Sequence, residues 1–168
     1  MWAGMSAIQY KGSAKLYFDG ASRNNPHGPC GYGFHIETDD SNKEPLVQGS
    51  GYSGMKKSSN QMEYEGLIEG LVWATRLRLT RLTVAGDSQL IIKQLTGEYS
   101  IKNHRLKALR KKVQDLLSRS DELEVNYQHI PREENEIADR LANKAIGARE
   151  NVTKCNWPNI NKLMAVRW

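Results

Sequence analysis

The sequence predicts an α/β domain: a mixed sheet that opens antiparallel, continues with parallel strands and carries helices on its faces. Strand-like alternation and helix-like periodicity succeed each other in the order β-β-β-α-β-α-α-β-α. Crossovers after the third strand obey a handedness that makes the later strands parallel. With 168 residues, 39% hydrophobic and 26% charged, the chain has enough apolar material for one core and one domain.

Lys15-Leu16-Tyr17-Phe18-Asp19 reads as the first strand and Gly31 to Glu37 as the second, joined by a loop whose Asn25-Pro26-His27-Gly28-Pro29 is turn chemistry. Leu46 to Tyr52 is a weaker third strand, interrupted by Gly49 and Gly51. Tyr64, Leu67, Ile68, Leu71, Val72 and Thr75 then recur at helical spacing, which predicts a helix from about Asn60 to Arg78 with Ser58, Ser59 or Asn60 as cap. Leu82 to Gly86 forms a short strand ending at Asp87, and Ser88 to Leu95 a helix stopped by Gly97. Leu106, Leu109, Val113 and Leu116 mark another amphipathic helix, and Leu123, Val125 and Tyr127 alternate as a strand ending near His129. Pro131 and the acids Glu133, Glu134 and Glu136 open a last helix, with Ile137, Leu141, Ala145 and Ala148 as its stripe. The expected organisation is an N-terminal extension over 1–13, a central domain over 14–149 and a C-terminal tail over 150–168.

No apolar run approaches the ~20 residues of a membrane-spanning helix and the start has no signal core, so a cytoplasmic (or nuclear or nucleoid) protein is expected, without a membrane partner and not secreted. Cys30 and Cys155 lack metal or redox spacing and are expected as free thiols. An excess of 24 Lys and Arg over 19 Asp and Glu permits a polyanionic partner without requiring one. Locally, Lys102, His104, Arg105, Lys107, Arg110, Lys111 and Lys112 precede any acid before Asp115; this is either a solvated helix face or a phosphate-contacting surface.

Four acids stand where elements start or end: Asp19, Glu63, Asp87 and Asp139. Ligands in open α/β sheets gather beyond the carboxyl ends of strands, and Asp19 and Asp87 close two of them. Glu63 falls in the first turns of the long helix and Asp139 in those of the last. Gathered carboxylates repel unless cations neutralise them, and hard oxygen donors suit Mg²⁺ or Mn²⁺. Singly, each acid is explained by solvent exposure at an element end.

Tyr17-Phe18-Asp19-Gly20-Ala21-Ser22 with Asn25-Pro26, Asn60-Gln61-Met62-Glu63-Tyr64, Gly86-Asp87-Ser88-Gln89-Leu90, and His129-Ile130-Pro131-Arg132-Glu133-Glu134-Asn135 through Asp139-Arg140-Leu141-Ala142 together resemble type 1 ribonuclease H, over about Ala14 to Ala148. The resemblance implies a ribonuclease H-like fold with a five-stranded mixed sheet of order 3-2-1-4-5 flanked by helices. It implies cleavage of the RNA strand of RNA/DNA hybrids to 5′-phosphate and 3′-hydroxyl ends, with two Mg²⁺ or Mn²⁺ ions per site when substrate is bound. By resemblance Asp19 bridges both ions, Asp139 serves the one that activates water, Glu63 and Asp87 hold the other, and His129 moves protons at product departure. Glu65, Glu69, Glu98, Glu133 and Glu134 match no catalytic position.

The same resemblance assigns substrate contacts to Asn25, Asn60 and Gln89, where an RNA-reading surface meets the minor groove and its sugars, to Ser59, which with Ser58 stands near DNA phosphate unless capping explains it, and to Asn135. Two departures bear on that surface: Asn24 stands where the family usually has Gly, and His27 is inserted after Pro26. Double-stranded RNA is the alternative duplex, and a monomer is expected. Rival readings are a domain of a reverse transcriptase or another larger protein, against which the short N-terminal lead argues, and a binding module without turnover. Lys154, Trp157, Lys162, Arg167 and Trp168 of the tail either grip nucleic acid or pack on the domain, and packing is the expectation.

Overall fold

The computed structural model describes residues 13–38 and 45–156. The extension up to residue 12 and the tail's Trp157, Lys162, Arg167 and Trp168 lie outside the described residues.

Among the described residues six strands and four helices follow in order: β1 (Ser13–Ser22), β2 (Pro29–Thr38), β3 (Val47–Met55), α1 (Ser59–Arg76), β4 (Arg81–Gly86), α2 (Gln89–Thr96), α3 (His104–Ser118), β5 (Glu124–His129), α4 (Glu136–Ala148) and β6 (Val152–Cys155). The sheet order is β5-β4-β1-β2-β3-β6. The expected 3-2-1-4-5 order is thus present, with the pairs β1/β2 and β2/β3 antiparallel and β1/β4 and β4/β5 parallel. The five-strand expectation is corrected by β6, which extends the edge antiparallel to β3 from Val47↔Cys155 to Ser50↔Val152. Four residues with one partly buried side at each end offer almost no period to read, and only the free edge of β3 makes them a strand.

Local chemistry explains the helix ends. Ser58 caps α1: its hydroxyl accepts from the Gln61 N–H at 3.2 Å while the Gln61 side chain accepts from the Ser58 N–H at 2.9 Å, a capping box. The helix stops two residues short of the expected Arg78, which adopts φ +56°. Ser88 caps α2 and Asn103 caps α3, each through a side-chain oxygen. Before α4 a single 3-10 turn spans Arg132–Glu134.

Alternation along β1 sorts its residues between two faces. Leu16 and Phe18, with Phe34 and Ile36 of β2, join Tyr64, Leu67 and Leu71 of α1 in the main core. The other face carries α4, whose Ala138, Ala142 and Ala145 are buried. The Cys30 thiol donates to the Gly54 carbonyl at 3.2 Å and the Cys155 thiol to the Leu46 carbonyl at 3.4 Å. Among the described residues no helix is long and apolar enough to cross a membrane.

Candidate active site

Strand register brings the first two acids level. Parallel pairing of β1 and β4 runs to Tyr17↔Ala85, so Asp19 and Asp87, each two residues further on, come side by side; Asp87 follows the end of β4, whereas Asp19 does not close β1 as expected, because pairing with β2 carries that strand on to Ser22. Pairing of β4 with β5 ends at Gly86↔His129, which sets His129 beside them.

The two helices reach this point because the sheet has no side chains in their way. A Cβ on Gly20 would stand 2.3 Å from the Glu63 nitrogen, so the missing side chain lets the start of α1 touch the end of β1. Gly33 is the cross-strand partner of Asp19, and a Cβ there would stand 2.3 Å from the Ala138 carbonyl oxygen. That absence lets α4 lie against the sheet with Asp139 beside Asp19.

Carboxylate oxygens of Asp19, Glu63 and Asp87 consequently lie within 4.8 Å of one another. Asp139 stands outside this triad but lines the same cleft, of about 460 Å³, together with Arg23, Asn25, Ser59, Arg132 and Asn143. Burial, then the negative charge of Asp87, pushes the Asp19 carboxyl up to about 8, with nearby Asp139 adding to the rise. The Gly20 N–H, donating to Asp19 Oδ1 at 2.9 Å, opposes it. Burial also holds Glu63 well above the usual carboxylate range, helped by Asp19 and Asp87 and opposed by the Ser88 hydroxyl. Asp19 is 7% exposed and Glu63 9%. Such crowding of desolvated acids is unfavourable unless positive charge enters the cleft.

The donor set fits a divalent cation of the Mg²⁺ or Mn²⁺ class. All its side-chain donors are carboxylate oxygens, and Glu63 Oε2 is sealed from solvent with no hydrogen-bond partner. A buried anionic oxygen left unpaired is costly, and coordination would satisfy it.

Of the residues expected to touch substrate, Asn25 and Ser59 meet at the cleft: Asn25 Nδ2 donates to Ser59 Oγ at 3.1 Å, and the Ser59 N–H donates to Asn25 Oδ1 at 3.3 Å. The turn that presents Asn25 needs a left-handed residue before it, and Asn24 supplies φ +48°, a region that Asn tolerates where the family usually has Gly. Asn60 and Gln89 do not line the cleft. Asn135 requires a correction. It is fully buried, and its Nδ2 donates to the Phe18 carbonyl at 2.9 Å and to Asp87 Oδ2 at 3.3 Å. It braces β1 against Asp87 rather than offering itself to a ligand.

His129 is exposed, and its Nε2–H donates to the Asp87 carbonyl at 3.1 Å; a carbonyl only accepts, so this contact leaves Nδ1 as the free acceptor. The basic run forms the start of α3, which packs on α1, and none of its side chains lines the acidic cleft. Arg23, Arg132 and Asn143 are cleft residues that sequence reasoning missed. A usable signal existed for Asn143, four residues after Asp139 and hence on the same helical face.

A family model described as "Reverse transcriptase-like" matches residues 31–145. With this sheet and this acidic cleft, the chain belongs to the type 1 ribonuclease H group of that family. It is 37% identical over 135 residues to "Ribonuclease HI" of Halobacterium salinarum, a match covering 80% of this chain and 65% of that protein. The "Bifunctional protein Rv2228c" of Mycobacterium tuberculosis is 39% identical over 130 residues, 77% of this chain but 34% of its own length. The solved N-terminal RNase H domain of Rv2228c superposes with a TM-score of 0.74 at 37% identity, covering 82% of this chain and 96% of that one. A structure of LC11-RNase H1 in complex with an RNA/DNA hybrid gives 0.70 at 34% identity, covering 81% and 98%. The chain thus spans about two thirds of the halobacterial relative and one third of the mycobacterial one.

Proposed function

We propose that this protein hydrolyses the RNA strand of RNA/DNA hybrids endonucleolytically, leaving 5′-phosphate and 3′-hydroxyl ends. The observation that carries the reading is the convergence of Asp19, Glu63 and Asp87 to within 4.8 Å of one another in a cleft shared with Asp139. Likeness to proteins named ribonuclease H, one of them solved with a hybrid bound, supports the substrate.

Asp19, Glu63 and Asp87 would hold one divalent ion, and Asp19 with Asp139 a second. Bound there, the ions supply activation of the attacking water and charge neutralisation at the departing 3′ oxygen. The protein does the rest. Burial and mutual repulsion push Asp19 and Glu63 above the usual carboxylate range, and a cation between them would relieve that repulsion. Asn135 fixes the rotamer of Asp87 by gripping Oδ2. His129 Nδ1, an acceptor while Nε2–H is engaged with the Asp87 carbonyl, would take up a proton and pass it to the leaving oxygen; that contact supports the reading.

Asn25 and Ser59 read the strand to be cut. Their mutual hydrogen bonds hold an amide and a hydroxyl exposed at the cleft, and these meet the 2′-hydroxyls that distinguish RNA from DNA. The exposed basic residues of the Lys102 to Lys112 run offer a separate surface for backbone phosphates. Activity as a stand-alone enzyme, or as the ribonuclease H portion of a longer protein as in Rv2228c, uses the same site.

The test offers labelled RNA/DNA hybrid, RNA duplex and single-stranded RNA with Mg²⁺, Mn²⁺ or chelator, and maps the ends produced. Hybrid should be cut, chelator should stop the reaction, and Asp19→Asn should lose at least about 10²-fold in rate. An Asp19→Asn protein that cuts hybrid as fast as its parent would end the assignment.

A further inference from the structure

We propose that Asn143 is a positioning residue for the Asp139 carboxylate and, through it, for the cation site; this rests on the functional reading above. Asp139 is the one acid of the four outside the tight triad, and its side chain is hydrogen-bonded to Asp19 on one side and to Asn143 on the other. Asn143, on the same helix and lining the same cleft, turns its amide back on it. Nδ2 donates to the Asp139 carbonyl at 2.9 Å and to Asp139 Oδ1 at 3.3 Å. The contact at Oδ1 restrains the plane in which the Asp139 carboxylate faces the cleft.

The residue type suits that task. An ionised carboxylate only accepts, so the group that orients it must donate. Lys or Arg would donate too, but would neutralise Asp139 and repel an incoming metal ion, whereas the amide donates without net charge. Asp87 is treated alike, since Asn135 Nδ2 holds its Oδ2 at the same 3.3 Å. Both amides belong to α4 or its cap, so the seating of this helix on Gly33 sets the direction of two carboxylates as well as the place of one. Partners of this kind behind a metal ligand commonly change metal affinity or activity by roughly 10–100-fold when removed.

The competing account is that Asn143 merely back-bonds to a helix carbonyl four residues earlier, a common local contact. Asn143→Ala removes the amide, and Asn143→Leu keeps its shape without any donor. Manganese binding to the substrate-free protein is read by calorimetry, beside the Mg²⁺ requirement of hybrid cleavage, KM for hybrid and the melting temperature. Both variants should bind Mn²⁺ roughly 10–100-fold more weakly and need correspondingly more Mg²⁺, with KM for hybrid unchanged. Mn²⁺ binding equal to the parent's in either variant, or its recovery in Asn143→Leu alone, would overturn the role. Should the parent fail to cut hybrid, the functional reading falls while the Mn²⁺ titration still decides Asn143; a parent that takes up no Mn²⁺ would overturn both.

Discussion

Replacing Asp19 by Asn should make the metal-free protein more stable, and the gain should depend on pH in a defined window. Asp19 is 7% exposed, and burial followed by the charge of Asp87 raises its carboxyl from 3.8 to about 8. Between those values the folded state binds a proton that the unfolded chain has released, so stability falls as pH rises from about 4 to about 8 and then levels. At 1.36 kcal/mol per unit, the shift sets a ceiling of about 6 kcal/mol; water entry and local relaxation bring the expected gap near 2–4 kcal/mol at pH 8. For a domain of this size that is roughly 5–15 °C in melting temperature. Asn keeps an oxygen for the Gly20 N–H, so little else is lost. The assay is thermal unfolding of parent and variant with chelator from pH 4 to pH 9, repeated with Mg²⁺. The curves should coincide near pH 4 and diverge to pH 8, and Mg²⁺ should rescue the parent but not the variant. A gap of constant size across that range, or a parent that is the more stable at pH 8 without metal, would refute the reasoning.

Other consequences follow from contacts at the cleft. Gly33→Ala forces a methyl against the Ala138 carbonyl and the Ala142 nitrogen, so it should cost about 1–3 kcal/mol in chemical unfolding and lower hybrid cleavage, because Asp139 moves with α4. Asn135→Leu strands the buried Phe18 carbonyl and frees Asp87; a loss of about 1–3 kcal/mol is expected, with weaker Mn²⁺ binding. His129→Ala leaves the carboxylates untouched, so single-turnover assays should show Mn²⁺ affinity intact and kcat reduced by roughly 10²-fold. His35, stacked on Tyr17 and carried by burial down to about 4, is neutral at pH 7. Its contribution is present above the ordinary 6.5 and lost as pH falls through about 4, so His35→Phe should flatten the acid limb of the stability curve.

Much of the fold was legible because its signals are local. The alternation of β1 and β2, the 3.6-residue stripe of α1, the Ser-rich start of that helix and the glycine after α2 each encode structure within one or two turns of chain. The four acids were legible only jointly, through the neighbours that accompany them. What stayed hidden depended on partners far along the chain. The strand Val152–Cys155 exists because β3 has a free edge about a hundred residues earlier. Asn135 reads from its motif as a substrate contact, whereas its amide lies between Phe18 and Asp87, 117 and 48 residues away.

The sequence by itself determined the order of strands and helices, the family and the identity of the acids, since periodicity, capping and motif spacing are read along the backbone. Tertiary structure alone decided that Asp19, Glu63 and Asp87 crowd within 4.8 Å, that Asp139 is held between Asp19 and Asn143, and that burial pushes Asp19 and Glu63 above the usual carboxylate range. Distances between carboxylates depend on β1/β4 register and on how closely α1 and α4 approach Gly20 and Gly33. Electrostatic energy varies steeply with those distances and with desolvation, and neither quantity exists until the chain has closed on itself.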